Sequence, residues 1–95
     1  MEEEQLLKSG ERINQLFSTD IKIIQNREVF SYSVDSVLLS RFPRFPKNGL
    51  IVDFCAGNGA VGLFASSRTK AKILSVEIQE RLADMAERSV QLNGL

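Results

Sequence analysis

Ninety-five residues, 43% of them apolar, 7% aromatic and 25% charged, make at most one globular domain and neither a fibre nor a disordered tail. Twelve Lys and Arg balance twelve Asp and Glu with no His, which sets aside a strongly basic nucleic-acid module, a catalytic histidine and a His-ligated metal. The single cysteine, Cys55, excludes an internal disulfide framework and a cysteine metal cluster, so no metal is expected.

One unpaired cysteine fits a reducing compartment. The start, Met1-Glu2-Glu3-Glu4, is acidic where a secretory leader would be basic. No apolar run approaches the ~18 residues of a membrane span. A cytoplasmic protein with no membrane partner is therefore expected.

From Glu2 to Phe17, the residues Leu6, Leu7, Ile13, Leu16 and Phe17 fall mostly on one helical face, and Ser9-Gly10 interrupts the pattern. Ile21, Ile23 and Ile24, then the polar turn Gln25-Asn26-Arg27-Glu28, then Val29-Phe30-Ser31-Tyr32 predict a short hairpin. Ser33 or Asp35 can cap a following helix that carries Val37, Leu38 and Leu39 and that Pro43 and Pro46 stop. Residues 1–48 thus read as a helix, hairpin and linker segment.

Leu50-Ile51-Val52-Asp53-Phe54 has the character of a central parallel strand covered on both faces. A helix from Ala60 to Ser67, a turn at Arg68-Thr69-Lys70 and a strand from Ile73 to Val76 follow. A second helix from Gln79 to Leu92 turns Leu82, Met85, Ala86 and Val90 inward and Arg81, Asp84, Glu87, Arg88 and Gln91 outward, and Asn93-Gly94 stops it. Residues 49–95 therefore read as the βαβα start of a doubly wound α/β sheet. Two strands leave sheet edges uncovered, so the chain is expected to be the N-terminal part of a longer protein.

The turn after the first of these strands, Cys55-Ala56-Gly57-Asn58-Gly59, lets a ligand approach the backbone closely, and such strand-to-helix turns mark cofactor sites. Gly57, Gly59 and Gly62 satisfy G-x-G-x-x-G, and Glu77 follows about 20 residues on, as a dinucleotide site requires. Asp53 weighs against that reading, because a pyrophosphate on this loop would sit near a carboxylate. S-adenosylmethionine has a sulfonium, an ammonium and no phosphate, so Asp53 suits its amino-acid end, directly or through water. Glu77 offers two oxygens to ribose hydroxyls in either case and speaks against a 2′-phosphate.

Ile51-Val52-Asp53-Phe54-Cys55-Ala56-Gly57-Asn58-Gly59 resembles the first motif of class I S-adenosylmethionine-dependent methyltransferases, and Val76-Glu77-Ile78 resembles the acidic end of their second strand. Cys55 stands where many members have a glycine; cysteine there is common in the adenine-N6 group. Glu11-Arg12-Ile13, Ile21-Lys22-Ile23-Ile24-Gln25 and the run from Phe30 to Leu39 are further similar to bacterial tRNA1(Val) adenine-N6 methyltransferases, as is Glu77-Ile78-Gln79-Glu80-Arg81. The likeness spans residues 11 to 95.

This resemblance implies a Rossmann-like cofactor domain that binds S-adenosyl-L-methionine through Asp53, Cys55, Ala56, Gly57, Asn58, Gly59, Glu77 and Ile78. It also implies that Ser33 and Asp35 pass near the methionine end, although either serves equally as a helix cap. Ile78 would cover the adenine, or fill the core. The family's Asn-Pro-Pro-Tyr motif, which holds the target amino group, does not occur in these residues, so no catalytic residue is assigned. RNA, and tRNA in particular, is the expected substrate of the full-length protein, with its main basic surface outside this stretch.

The alternatives are a part of an NAD-binding oxidoreductase and a non-enzymatic truncated product. Cys55 is expected to be buried as a small apolar residue rather than to act as a nucleophile. Arg41, Arg44 and Lys47 with Phe42 and Phe45 could touch RNA, but a solvated linker whose phenylalanines pack inward is the favoured reading.

Overall fold

The computed structural model describes residues 2–15, 20–26 and 34–95. It is a mixed α/β structure of α1 (Glu2–Gln5), β1 (Arg12–Gln15), β2 (Lys22–Gln25), α2 (Val34–Arg41), β3 (Leu50–Phe54), α3 (Ala60–Ser66), β4 (Lys72–Val76) and α4 (Glu80–Leu92). β1 and β2 pair antiparallel, and β3 and β4 pair parallel. The expected strand from Val29 to Tyr32 and the cap at Ser33 lie outside the described residues.

The first correction concerns the N-terminal helix, which is limited to α1. Gly10 takes a left-handed φ of 79°, and Arg12 to Gln15 form a strand instead of a second helical stretch. Cross-strand pairing decides this, because Ile13 sits opposite Ile24 in the β1–β2 ladder. Tertiary partners outweigh a short stretch of helical spacing. Leu6, Leu7 and Ile13 still reach the core, packing around Ile24, Leu82 and Met85.

β2 lies between two apolar clusters. Ile23 packs with Ala60, Leu63 and Phe64 of α3, while Ile24 packs with Leu82 and Met85 of α4, as alternating strand side chains require. One edge of β2 belongs to β1. Along the other, among the described residues, side chains bond the backbone of Lys22 and Ile24. Asn93 accepts from Lys22 N–H at 2.7 Å and donates to Lys22 C=O at 2.6 Å. Ser89 Oγ accepts from Ile24 N–H at 2.9 Å, and Asn58 Nδ2 donates to Ile24 C=O at 3.2 Å.

Arg88, expected on the outer face of α4, turns toward the N-terminal segment instead. Its guanidinium pairs with both oxygens of Glu11, at 2.7 Å for Nη2 to Oε2, and donates to Leu6 C=O at 2.7 Å. Asp84 Oδ2 accepts from Arg88 Nε–H at 3.0 Å and also pairs with Lys8 at 2.9 Å. Lys22 pairs with Glu3. An i, i+4 polar stripe thus becomes an interface because it has a chain segment to face. At the end of α4, Gly94 takes a φ of 70° and Leu95 N–H reaches Val90 C=O, so the expected stop at Asn93-Gly94 is present.

The β3–β4 pair differs from expectation in its cover. Ile51, Asp53, Ile73 and Ser75 share the face on which α3 packs. A Cβ on Gly62 would come within 2.9 Å of Ser75 Oγ, so the helix approaches this closely only because residue 62 lacks one. The opposite face is open: Leu50 is 59% exposed and Phe54 74%, with Val52, Leu74 and Val76 beside them. α2 packs against α3 through Val37, while Leu38 and Leu39 of the expected apolar triplet stay exposed. No helix among the described residues is long and apolar enough to cross a membrane.

The Glu11 carboxyl is held below the usual carboxylate range, chiefly by its hydrogen bond from Arg88, against the opposing effect of burial. A carboxyl whose folded pKa is depressed stabilises the fold above its unfolded value of 4.5 and loses that contribution as pH falls through the lower folded value. The urea midpoint is therefore expected to drop on acidification below about pH 4.5. Glu11→Gln should lower stability at neutral pH by about 1 to 3 kcal/mol, because half-buried Arg88 loses its bidentate partner and keeps only the Nε contact to Asp84 as an ion pair. It should also flatten the acid dependence of urea unfolding.

Candidate functional site

β3 delivers its C-terminal end into a loop in which alternate residues are left-handed. Cys55 has φ 59°, Gly57 58° and Gly59 86°. Glycine adopts this conformation without cost, whereas a side chain there costs about 1 to 2 kcal/mol. Cys55 therefore occupies a position that favours glycine. At Gly59 a second constraint applies, since a Cβ would lie 3.1 Å from Ala86 Cβ of α4.

The loop uses its own polar groups to hold its shape. Ala56 N–H bonds Val76 C=O at 3.0 Å, and Gly59 N–H bonds Ala56 C=O at 3.0 Å. Gly57 N–H donates to Glu77 Oε1 at 2.8 Å, while Gln79 N–H donates to Glu77 Oε2 at 3.0 Å. Glu77 thus ties the glycine loop to the start of α4. The amide bonds from Gln79 and then Gly57 keep its carboxyl below the ordinary value, so it is an anion at neutral pH.

Asp53 behaves differently. Its Oδ2 is buried and finds no hydrogen-bond donor among the described residues, and burial raises its pKa. An isolated carboxylate in such a place gains from any cationic group brought to it. Asn58 is fully buried and braces the loop against β2 through Ile24 C=O, while its Oδ1 finds no donor among the described residues.

Asp53, Cys55, Ala56, Gly57, Asn58, Gly59 and Glu77 therefore gather at the carboxyl ends of two parallel strands, where open α/β sheets hold their ligands. Ile78 follows Glu77 and is 96% exposed, so the core reading of this residue does not hold. Asp35 is exposed in the first turn of α2, where an acid complements the helix dipole. Ser33 lies outside the described residues. Cys55 is exposed, a correction to its expected burial; the left-handed backbone turns it out of the core.

A cleft of about 820 Å³ opens between α3, β4 and α4, lined by Gly59, Gly62, Ser75, Glu77, Ala83 and Ala86. It reaches the loop from the helical side. The small residues Ala83 and Ala86, the second of which was expected on the inner face of the helix, leave room for it. No group of three or more His, Cys, Asp or Glu among the described residues could hold a metal. No protein-family model matches the chain, and no curated protein matches it significantly.

Cys55 yields two measurable outcomes. Its thiol should react with a disulfide reagent in the folded chain at a rate close to that in urea. Cys55→Val should lower the unfolding free energy from urea titration by about 1 to 2 kcal/mol, since a β-branched residue is strained at positive φ, whereas Cys55→Gly should leave it equal or raised.

Proposed function

We propose that the chain is the S-adenosylmethionine-binding part of a Rossmann-like methyltransferase acting on the N6 amine of adenine in RNA, with tRNA the favoured substrate. The observation that carries the cofactor assignment is the internal use of the loop amides. Three N–H groups that could cradle a pyrophosphate, those of Ala56, Gly57 and Gly59, are already bonded to Val76, Glu77 and Ala56. Two carboxylates, Asp53 and Glu77, lie at the same strand ends. Such a site repels phosphate and suits a ligand with cationic groups.

The residues present fit that cofactor. Glu77, anionic and with lone pairs left on both oxygens, would accept from the two ribose hydroxyls. Asp53, with its unpaired Oδ2, would face the ammonium of the methionine end, directly or through water. Exposed Ile78 offers an apolar cover for the adenine ring. The third glycine of the G-x-G-x-x-G spacing, Gly62, packs α3 onto β4 and needs no dinucleotide to account for it.

When bound, the cofactor supplies an activated methyl group. The chain's own part is to hold the ribose and amino-acid ends so that the methyl faces the incoming amine in line. The RNA assignment rests on the resemblance of the segments around Ile21 to Gln25 and Phe30 to Leu39 to tRNA1(Val) adenine-N6 methyltransferases. No proton transfer is assigned to this segment.

Calorimetric titration separates the readings. S-adenosylhomocysteine is expected to bind and NAD to fail to compete. Asp53→Asn should weaken the former by about tenfold, because the charge-assisted contact is lost. Glu77→Ala should weaken it as well and loosen the Gly57 loop. Tight NAD binding with no response to S-adenosylhomocysteine would refute the assignment.

A further inference from the structure

The balanced net charge hides a strong polarity. Residues 36–76 hold six of the twelve cations, Arg41, Arg44, Lys47, Arg68, Lys70 and Lys72, and only one of the twelve acids, Asp53. These cations gather around the amino ends of β3 and β4, where Leu50 pairs with Lys72, away from the glycine loop at the carboxyl ends. None of the six forms an ion pair among the described residues, whereas Lys8, Lys22 and Arg88 do.

The same end of the sheet carries a pocket of about 610 Å³ with Lys47, Arg68 and Lys70 in its wall and no acid. Arg68 organises it. Its guanidinium stacks over the Phe45 ring at 5.0 Å and donates to Ser40 C=O, tying the C-terminal turn of α2 to the segment before β3. Thr69 Oγ1 fastens the opposite wall to Pro46 C=O.

Phe42 decides what this surface is for. The expected linker would have turned both phenylalanines inward, yet Phe42 is 87% exposed between Arg41 and Arg44. Pro43 ends the helix just after Phe42, whose N–H still bonds Leu38 C=O, and Phe45 is taken up by Arg68, so Phe42 is the exposed ring of the doublet. An acidic peptide would use the cations alone and leave the exposed ring without a stacking partner. A single-stranded polynucleotide uses both, its phosphates on the cations and an unstacked base on the ring.

We propose that the Arg41–Lys47 segment and the Arg68–Lys70 turn form a binding surface for single-stranded polynucleotide, with Phe42 as the base-stacking ring and Arg44, Lys47 and Lys70 as phosphate contacts. The surface shares the nucleic-acid class with the proposed function but stands on residues outside the cofactor site.

Fluorescence anisotropy of the full chain with labelled single-stranded RNA and DNA of about 12 nucleotides, over a series of salt concentrations, tests this. Binding is expected to weaken linearly on logarithmic axes as salt rises. The combined variant Arg44→Gln, Lys47→Gln, Lys70→Gln should lose at least about tenfold in affinity and lower the salt slope by about two. Phe42→Ala should lose about tenfold with the slope unchanged. Arg81→Gln, on the exposed face of α4, should change nothing, and circular dichroism melting should show every variant folded.

Binding to RNA, DNA or both with these losses supports the proposal. Absence of binding at low salt overturns it, as does a loss in the triple variant no larger than in Arg81→Gln. A silent Phe42→Ala, or a preference for heparin or anionic phospholipid vesicles over polynucleotide, overturns it too. A parallel titration with S-adenosylhomocysteine keeps the two readings apart, since failure of polynucleotide binding leaves the cofactor result standing and the reverse.

Discussion

β2 has β1 along one edge, and along the other, among the described residues, side chains bond the backbone groups of Lys22 and Ile24, which would otherwise bear the cost of burial unpaired. Ser89 of α4, Asn93 at its C-cap and Asn58 from the glycine loop supply these bonds. Each such bond contributes on the order of 1 kcal/mol net, but leaving a buried amide unpaired would cost more. The consequence is geometric. The loop that forms the candidate site, the helix that follows it and the N-terminal hairpin are all referenced to one strand, so the position of the site depends on a hairpin far from it in sequence.

Glu77 makes a second link of this kind. By accepting from Gly57 and Gln79 it joins the end of β4 to the loop after β3 and to the start of α4. The left-handed residues of the loop are thereby held in place by the chain's own carboxylate. Glu77 occupies the Gly57 amide in the same act, while the Ala56 and Gly59 amides bond Val76 and Ala56 C=O.

Charge is segregated along the sheet. Carboxylates lie at the carboxyl ends of β3 and β4 and cations near the amino ends, a separation that a net charge of zero conceals. The apolar face formed by Leu50, Val52, Phe54, Leu74 and Val76 lies beside both ends and remains exposed. Parallel strands of this composition are ordinarily covered on both faces, so the sheet has the chemistry of a buried element and the exposure of a surface one.

The βαβα half was legible in sequence because its information is local. The β-favouring run ending at Asp53, the spacing of Gly57, Gly59 and Gly62, the acid at Glu77 and the apolar stripe of Leu82, Met85 and Ala86 each report on neighbours within a few residues or on one element's inner face. The N-terminal half was not, because its outcome was set by partners 65 to 77 positions away, such as Ser89 for Ile24 and Arg88 for Glu11. Helical spacing around Ile13 lost to pairing with Ile24, and Asn58, Asn93 and Arg88 looked like turn, stop and surface residues until a backbone edge or a carboxylate was brought to them. Sequence by itself determined the element types around the glycine loop and the residues gathered there. Tertiary structure alone decided which polar side chains became braces, that Cys55 and Phe42 face outward, and that one face of the sheet is open, because burial and hydrogen-bond satisfaction are properties of the assembled neighbours and not of any residue's own type.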